Sequence, residues 1–120
     1  MSIPELSDKD RMWYILKGYV ITESQYGHWR EWFLNGKRHR EDGPAAERSD
    51  GSREWFLDGK LHREDGPAIE WADGTRQWCI NGKRHREDGP AIEWASGIRK
   101  WYLNSKSMTE EQHRIAVSEI

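Results

Sequence analysis

Three histidines, His39, His62 and His85, recur every 23 residues, and each is followed by the same tetrapeptide, Arg-Glu-Asp-Gly. Matched imidazoles invite a metal site, but the spacing argues against one. In a hairpin array, equivalent residues of successive copies lie two strands apart, roughly 10 Å, whereas imidazoles sharing a zinc each sit about 2 Å from the ion. Each histidine is expected instead to pack on the tryptophan of its own copy and to hydrogen-bond into the following corner. Arg40-Glu41-Asp42 and its copies set acid beside base, as a hydrolytic site would. A catalytic centre needs one convergence of groups in a pocket, and a motif written three times reads as a structural corner. Asp42, Asp65 and Asp88 are expected to accept backbone hydrogen bonds in the turn before proline. Cys79 takes the position held by Phe33, Phe56 and Tyr102 in the other copies, with no base nearby in sequence, and is not expected to act as a nucleophile. No enzyme activity, metal or cofactor is expected. Trp71 opposite Arg76 and Trp94 opposite Arg99 could stack on a base or nucleotide, although the alternation described below assigns both tryptophans to the core.

The elements that must position these residues are legible in the turns. The segments WFLNGKRHREDG from Trp32, WFLDGKLHREDG from Trp55 and WCINGKRHREDG from Trp78 are three copies of one unit, and a fourth opens at Trp101 as WYLNSK. Asn35-Gly36, Asp58-Gly59 and Asn81-Gly82 tolerate positive φ at both centres of a type I′ turn, the tightest connection between antiparallel strands. Asp50-Gly51, Asp73-Gly74 and Ser96-Gly97 mark a second turn, and the Asp-Gly-Pro triplets a corner. Side chains alternate between faces along a strand. Across two-residue turns this places Trp71 opposite Arg76 and Ile69 opposite Trp78 on a core face, with Trp32, Leu34 and His39, and Trp55, Leu57 and His62, in the neighbouring copies. Phe33 with Arg38, Phe56 with Leu61, Cys79 with Arg84, and Tyr102 fall on the second face, together with Glu47, Glu70 and Glu93.

Charged residues make up 33% of the 120 and the mean hydropathy is -1.05, values that ordinarily accompany disorder, but eight tryptophans supply large apolar area in few residues. The net charge is -2 with the two signs interspersed, without the basic footprint of a nucleic-acid binder. The single cysteine allows no internal disulfide, and neither a leader nor a membrane span is signalled, so a cytoplasmic location is expected.

The string REWFLDGKLHREDGPAIEWADGTRQW resembles the MORN repeat, whose unit combines an aromatic-rich strand, an Asn/Asp-Gly-Lys turn, a basic-His step and a Tyr/Trp strand ending in Asp-Gly. The resemblance covers roughly residues 29–106. Arg-Glu-Asp-Gly-Pro replaces the family's usual second glycine after histidine, as in a variant branch found in small bacterial, phage and large-DNA-virus proteins. It implies an elongated antiparallel sheet used for protein contacts or self-association; membrane-lipid binding, proposed for the family, is not expected here.

A mainly β, antiparallel hairpin meander is therefore expected as one domain. Residues 1–28 form an N-terminal cap and first strand, with Ser7-Asp8-Lys9-Asp10 before Met12, Trp13, Ile15 and Leu16 reading as a short N-capped helix or an irregular cap. Residues 29–106 form the repeats, and 107–120 a capping helix opened by Thr109-Glu110-Glu111-Gln112, with Ile115 packing inward. The expected function is a non-catalytic interaction module, a small adaptor or inhibitor of bacterial or phage type, with a ligand- or nucleotide-sequestering protein as the alternative. Framework residues repeat because the fold demands them, whereas second-face residues vary from copy to copy. Phe33, Arg38, Phe56, Leu61, Arg84 and Tyr102 are thus the candidate partner-binding residues, forming an aromatic and arginine strip of the kind enriched at interface hot spots.

Overall fold

Four two-residue turns set the architecture of the computed structural model, which describes residues 2–120. Asn35, Asp58, Asn81 and Asn104 have φ of 53°, 50°, 50° and 50°, and Gly36, Gly59, Gly82 and Ser105 follow with 76°, 78°, 79° and 68°. This is the type I′ signature expected of the Asn/Asp-Gly pairs. The unforeseen fourth turn, Asn104-Ser105, holds a serine in a conformation that glycine adopts without strain.

The chain begins with α1 (Asp8–Leu16) and β1 (Tyr19–Glu23). The first unit supplies β2 (Trp29–Leu34), β3 (Lys37–Arg38) and β4 (Ala46–Arg48). The second supplies β5 (Arg53–Glu54), β6 (Phe56–Leu57), β7 (Lys60–Leu61) and β8 (Ile69–Glu70). The third supplies β9 (Arg76–Gln77), β10 (Cys79–Ile80), β11 (Lys83–Arg84) and β12 (Ile92–Glu93), and the chain closes with β13 (Arg99–Leu103), β14 (Lys106–Met108) and α2 (Glu110–Ser118). One antiparallel ladder runs β1-β2-β4-β5-β8-β9-β12-β13-β14, with β3 paired to β2, while β6-β7 and β10-β11 stand beside it as separate hairpins. The transfer from ladder to hairpin occurs at the tryptophan of each unit. Trp55 N–H still donates to Ala68 in the ladder (2.8 Å), while its carbonyl accepts from His62 N–H across the hairpin (3.0 Å). Trp78 repeats both bonds with Ala91 and His85.

Ala45, Ala68 and Ala91, each following the corner proline, are fully buried between two ladder neighbours. Ile69 and Ile92 are buried beside them. Successive hairpins are joined as well, Gly59 N–H donating to Arg38 (2.9 Å) and Gly82 N–H to Leu61 (2.8 Å). The outcome is a stack with extents of 50 × 29 × 19 Å and a radius of gyration of 16.3 Å, against about 13.6 Å for a compact chain of this length.

The second turn departs from expectation. Trp71 N–H donates to Thr75 (2.8 Å) and Gly74 N–H to Trp71 (3.0 Å), so the loop holds three residues and Gly74 adopts φ 95°. The register is Glu70 opposite Arg76 and Ile69 opposite Gln77, one residue from the expected pairing. A one-residue slip exchanges the two faces. Glu47, Glu70 and Glu93 consequently meet arginines on the tryptophan side instead of lying with the phenylalanines, and Ile69 takes the opposite face. Trp71 and Trp94, expected in the core, are 40% and 37% exposed.

Both caps form as helices. Ser7 accepts from Asp10 N–H (3.1 Å) at the start of α1, and Thr109 and Gln112 complete a capping box at α2. In α2 the buried residue is not the expected one. Ile115 is 50% exposed and His113 packs inward, while in α1 only Tyr14 is buried and Met12, Trp13, Ile15 and Leu16 are exposed. Among the described residues no helix is long and apolar enough to cross a membrane.

Candidate partner-binding surface

The Arg-Glu-Asp-Gly-Pro corner is built around its arginine. The guanidinium carbons of Arg40, Arg63 and Arg86 lie 3.9, 3.8 and 3.8 Å from the ring centroids of Trp32, Trp55 and Trp78. A planar cation on an indole face gains from the ring quadrupole as well as from dispersion. In the second unit, Arg63 Nε donates to Asp65 (3.1 Å) and Nη1 to the Pro67 carbonyl (3.1 Å), with Glu70 at 3.6 Å. The corner aspartates thus accept from the arginine two residues earlier, not from the backbone as expected. The arginine's other side explains the glycine: a Cβ on Gly66 would stand 2.8 Å from Arg63 Cζ.

The histidines meet the corner as expected, through Nε2 and its glutamate, and also join units. Nδ1 of His39, His62 and His85 accepts from the N–H of Asp58, Asn81 and Asn104 at 2.9, 3.0 and 3.0 Å, the first residue of the next unit's type I′ turn. An accepting Nδ1 leaves the proton on Nε2, which faces Glu41, Glu64 and Glu87. Among the described residues no group of three His, Cys, Asp or Glu side chains is arranged to hold a metal ion.

On the second face the type I′ turns enforce the expected register, Phe33 opposite Arg38, Phe56 opposite Leu61 and Cys79 opposite Arg84. The candidate residues come together there. Arg38 Cζ stands 5.8 Å from the Phe33 ring and 5.6 Å from Phe56 in the next unit, and Arg84 reaches Tyr102 at 5.4 Å. Both arginines are exposed, while Phe33, Phe56, Leu61 and Tyr102 are half-buried. Cys79 is buried, and desolvation pushes its thiol pKa up despite Arg84 nearby. A raised pKa lowers the thiolate fraction that nucleophilic chemistry needs.

Several working residues escaped the sequence reading. Ser52 and Thr75 are buried, and their hydroxyls accept from Ala72 N–H (3.2 Å) and Ala95 N–H (3.1 Å) of the next unit. A hydroxyl after the Asp-Gly turn in two copies, replaced by Ile98 in the third, was the available signal. Tyr14 and His113 lie outside the repeat and had none. The tyrosine hydroxyl donates to Asp42 Oδ2 (2.9 Å) and accepts from Arg40 Nη2 (3.2 Å), and His113 Nε2 donates to the Arg86 carbonyl (2.6 Å). Set against known proteins, the chain matches no family model, no curated protein and no solved structure.

Proposed function

We propose that this chain is a non-catalytic, MORN-like interaction module, an adaptor or inhibitor that docks a partner protein on the second face of its hairpin row. The observation supporting this reading is the Arg38 guanidinium, exposed and spanning the Phe33 and Phe56 rings of two successive units. Arg84 on Tyr102 continues the strip. Arginine and aromatic residues are the side chains most enriched at interface hot spots, because they combine large contact area with directional donors. Nothing in the hairpin requires an arginine at these positions, since Leu61 serves equally well in the second unit.

Charge reversal at both positions, Arg38→Glu with Arg84→Glu, tests the reading by affinity capture and mass spectrometry on the wild type and the double variant. A partner captured by the wild type and lost from the variant, with circular dichroism and melting temperature unchanged, is the expected result. Capture that survives both reversals rules this face out. A second reading, nucleotide sequestration, draws on the exposure of Trp71 and Trp94, and calorimetric titration with nucleotides tests it.

A further inference from the structure

The ends of the stack are covered by the chain's own helices, and the middle is not. In the first unit α1 lays Tyr14 against Trp32, with ring centroids 6.1 Å apart, and Trp32 is 0% exposed. The phenol bridges the corner pair, giving its proton to Asp42 Oδ2 and accepting from Arg40 Nη2. At the far end α2 reaches the last corner through His113 and the Arg86 carbonyl. The corresponding grooves of the second and third units are open, with volumes of ≈ 610 Å³ over Trp55 and Leu57 and ≈ 650 Å³ over Trp78 and Ile80.

Each open groove repeats the first unit's chemistry without its occupant. Arg63 Nε and Arg86 Nε hold Asp65 Oδ1 and Asp88 Oδ1 at 3.1 and 3.0 Å, as Arg40 holds Asp42. The second carboxylate oxygen and Nη2, the two atoms that Tyr14 bridges in the first unit, hydrogen-bond to none of the described residues. The side chains of Asp65 and Asp88 are 88% exposed, against 57% for Asp42.

We propose that these two grooves are equivalent binding sites for a tyrosine side chain presented by a partner polypeptide. The chain itself carries the bound form: Tyr14 in the first groove shows which side chain satisfies the indole, the carboxylate and the guanidinium together. A group that must both donate to Asp65 and accept from Arg63 is a hydroxyl, and one that must also cover Trp55 is a phenol. The rim adds Glu64 and Glu87, exposed and acidic, so the tyrosine is flanked by lysine or arginine in the partner. These grooves lie on the tryptophan side of the hairpins, share no residue with the Arg38–Arg84 strip, and stand or fall independently of it.

The probe is the capped tripeptide Lys-Tyr-Lys, titrated into the full chain while the indole N–H signals are followed by proton-nitrogen correlation. The Trp55 and Trp78 signals are expected to shift and saturate while Trp32, already covered, stays in place. Lys-Phe-Lys is expected to bind about tenfold more weakly, because it leaves the charged pair without its hydroxyl. Asp88, which lines only the groove over Trp78, gives the selective variant: Asp88→Ala should abolish the response at Trp78 and spare Trp55, whereas Asp65→Ala, at the wall the two grooves share, should abolish the response at Trp55 and weaken that at Trp78. Equal affinity for the two peptides, or no movement at Trp55 and Trp78, overturns the proposal. So does self-association that Tyr14→Phe abolishes, which would make a second copy the occupant.

Discussion

Tyr14→Phe removes one oxygen atom from the protein and leaves the ring that packs on Trp32 and Tyr19 in place. That oxygen is 2.9 Å from Asp42 Oδ2 and 3.2 Å from Arg40 Nη2, in a residue only 5% exposed. Hydrogen bonds to charged groups contribute about 1.5–3 kcal/mol when their partners cannot be rehydrated. Here rehydration is partial. Asp42 remains 57% exposed and recovers a water, whereas Arg40, 14% exposed, retains Asp42, Pro44 and Glu47 as acceptors. The cost is therefore at the lower end, about 1–2 kcal/mol. With an unfolding entropy of about 250 cal/mol/K for 120 residues, the melting temperature should fall by about 4–8 °C if the chain unfolds as one unit. In a stack whose units lean on neighbours the loss is concentrated locally, so amide exchange should accelerate most in β1 and β2. Tyr26→Phe, at a position 70% exposed, is the control and should change neither quantity. An unchanged melting temperature together with unchanged exchange at Trp32 would refute the view that α1 is held through this hydroxyl.

Trp32→Ala, at a fully buried site, should cost about 3–5 kcal/mol, and Trp55→Ala, at a half-buried one, about 2–3 kcal/mol, both read from urea midpoints. Equal losses would mean that α1 adds nothing to the first tryptophan's packing. Glu23 is held below the usual carboxylate range, first by its bond from Arg11 and then by Arg30, burial opposing both. A depressed folded pKa contributes stability that is present above the unfolded value, about 4.3, and lost as pH falls through the folded one. Glu23→Gln should accordingly flatten the acid limb of a plot of urea midpoint against pH, and an unaltered limb would show that the Arg11–Glu23–Arg30 cluster is energetically silent.

Hairpin register was readable wherever a local rule governed it. Asn35-Gly36 and Asn81-Gly82 take the two consecutive positive φ angles of a type I′ turn, so Phe33 opposite Arg38 and Cys79 opposite Arg84 followed directly. The Asp73-Gly74 turn obeys no such rule. Asp73 accepts from Thr75 N–H (2.8 Å) in a loop of three residues, and the pairing of the two strands that flank it is shifted by one. That extra residue placed Ile69 on the opposite face, Glu70 beside Arg63 and Trp71 in solvent, and the matching three-residue loop at Ser96-Gly97 did the same for Glu93 and Trp94. The pairings of Phe33 with Arg38, Phe56 with Leu61 and Cys79 with Arg84 kept their expected register because they depend only on the type I′ turns.

The sequence alone determined the 23-residue period, the positions of the tight turns, the mainly antiparallel architecture and the two end helices, since each rests on local stereochemistry or on repetition. Only the tertiary structure decided what the conserved-looking corner does. Arg63 stacking on Trp55, Gly66 yielding room for that arginine, and His62 reaching the next unit's turn are contacts between residues 8, 3 and 19 positions apart. No periodicity encodes them, because identical copies give the same pattern whether a side chain bonds within its own unit or to its neighbour. The filling of the first groove by Tyr14 and the openness of the next two depend on where one short helix packs, and that is set by the whole surface it meets.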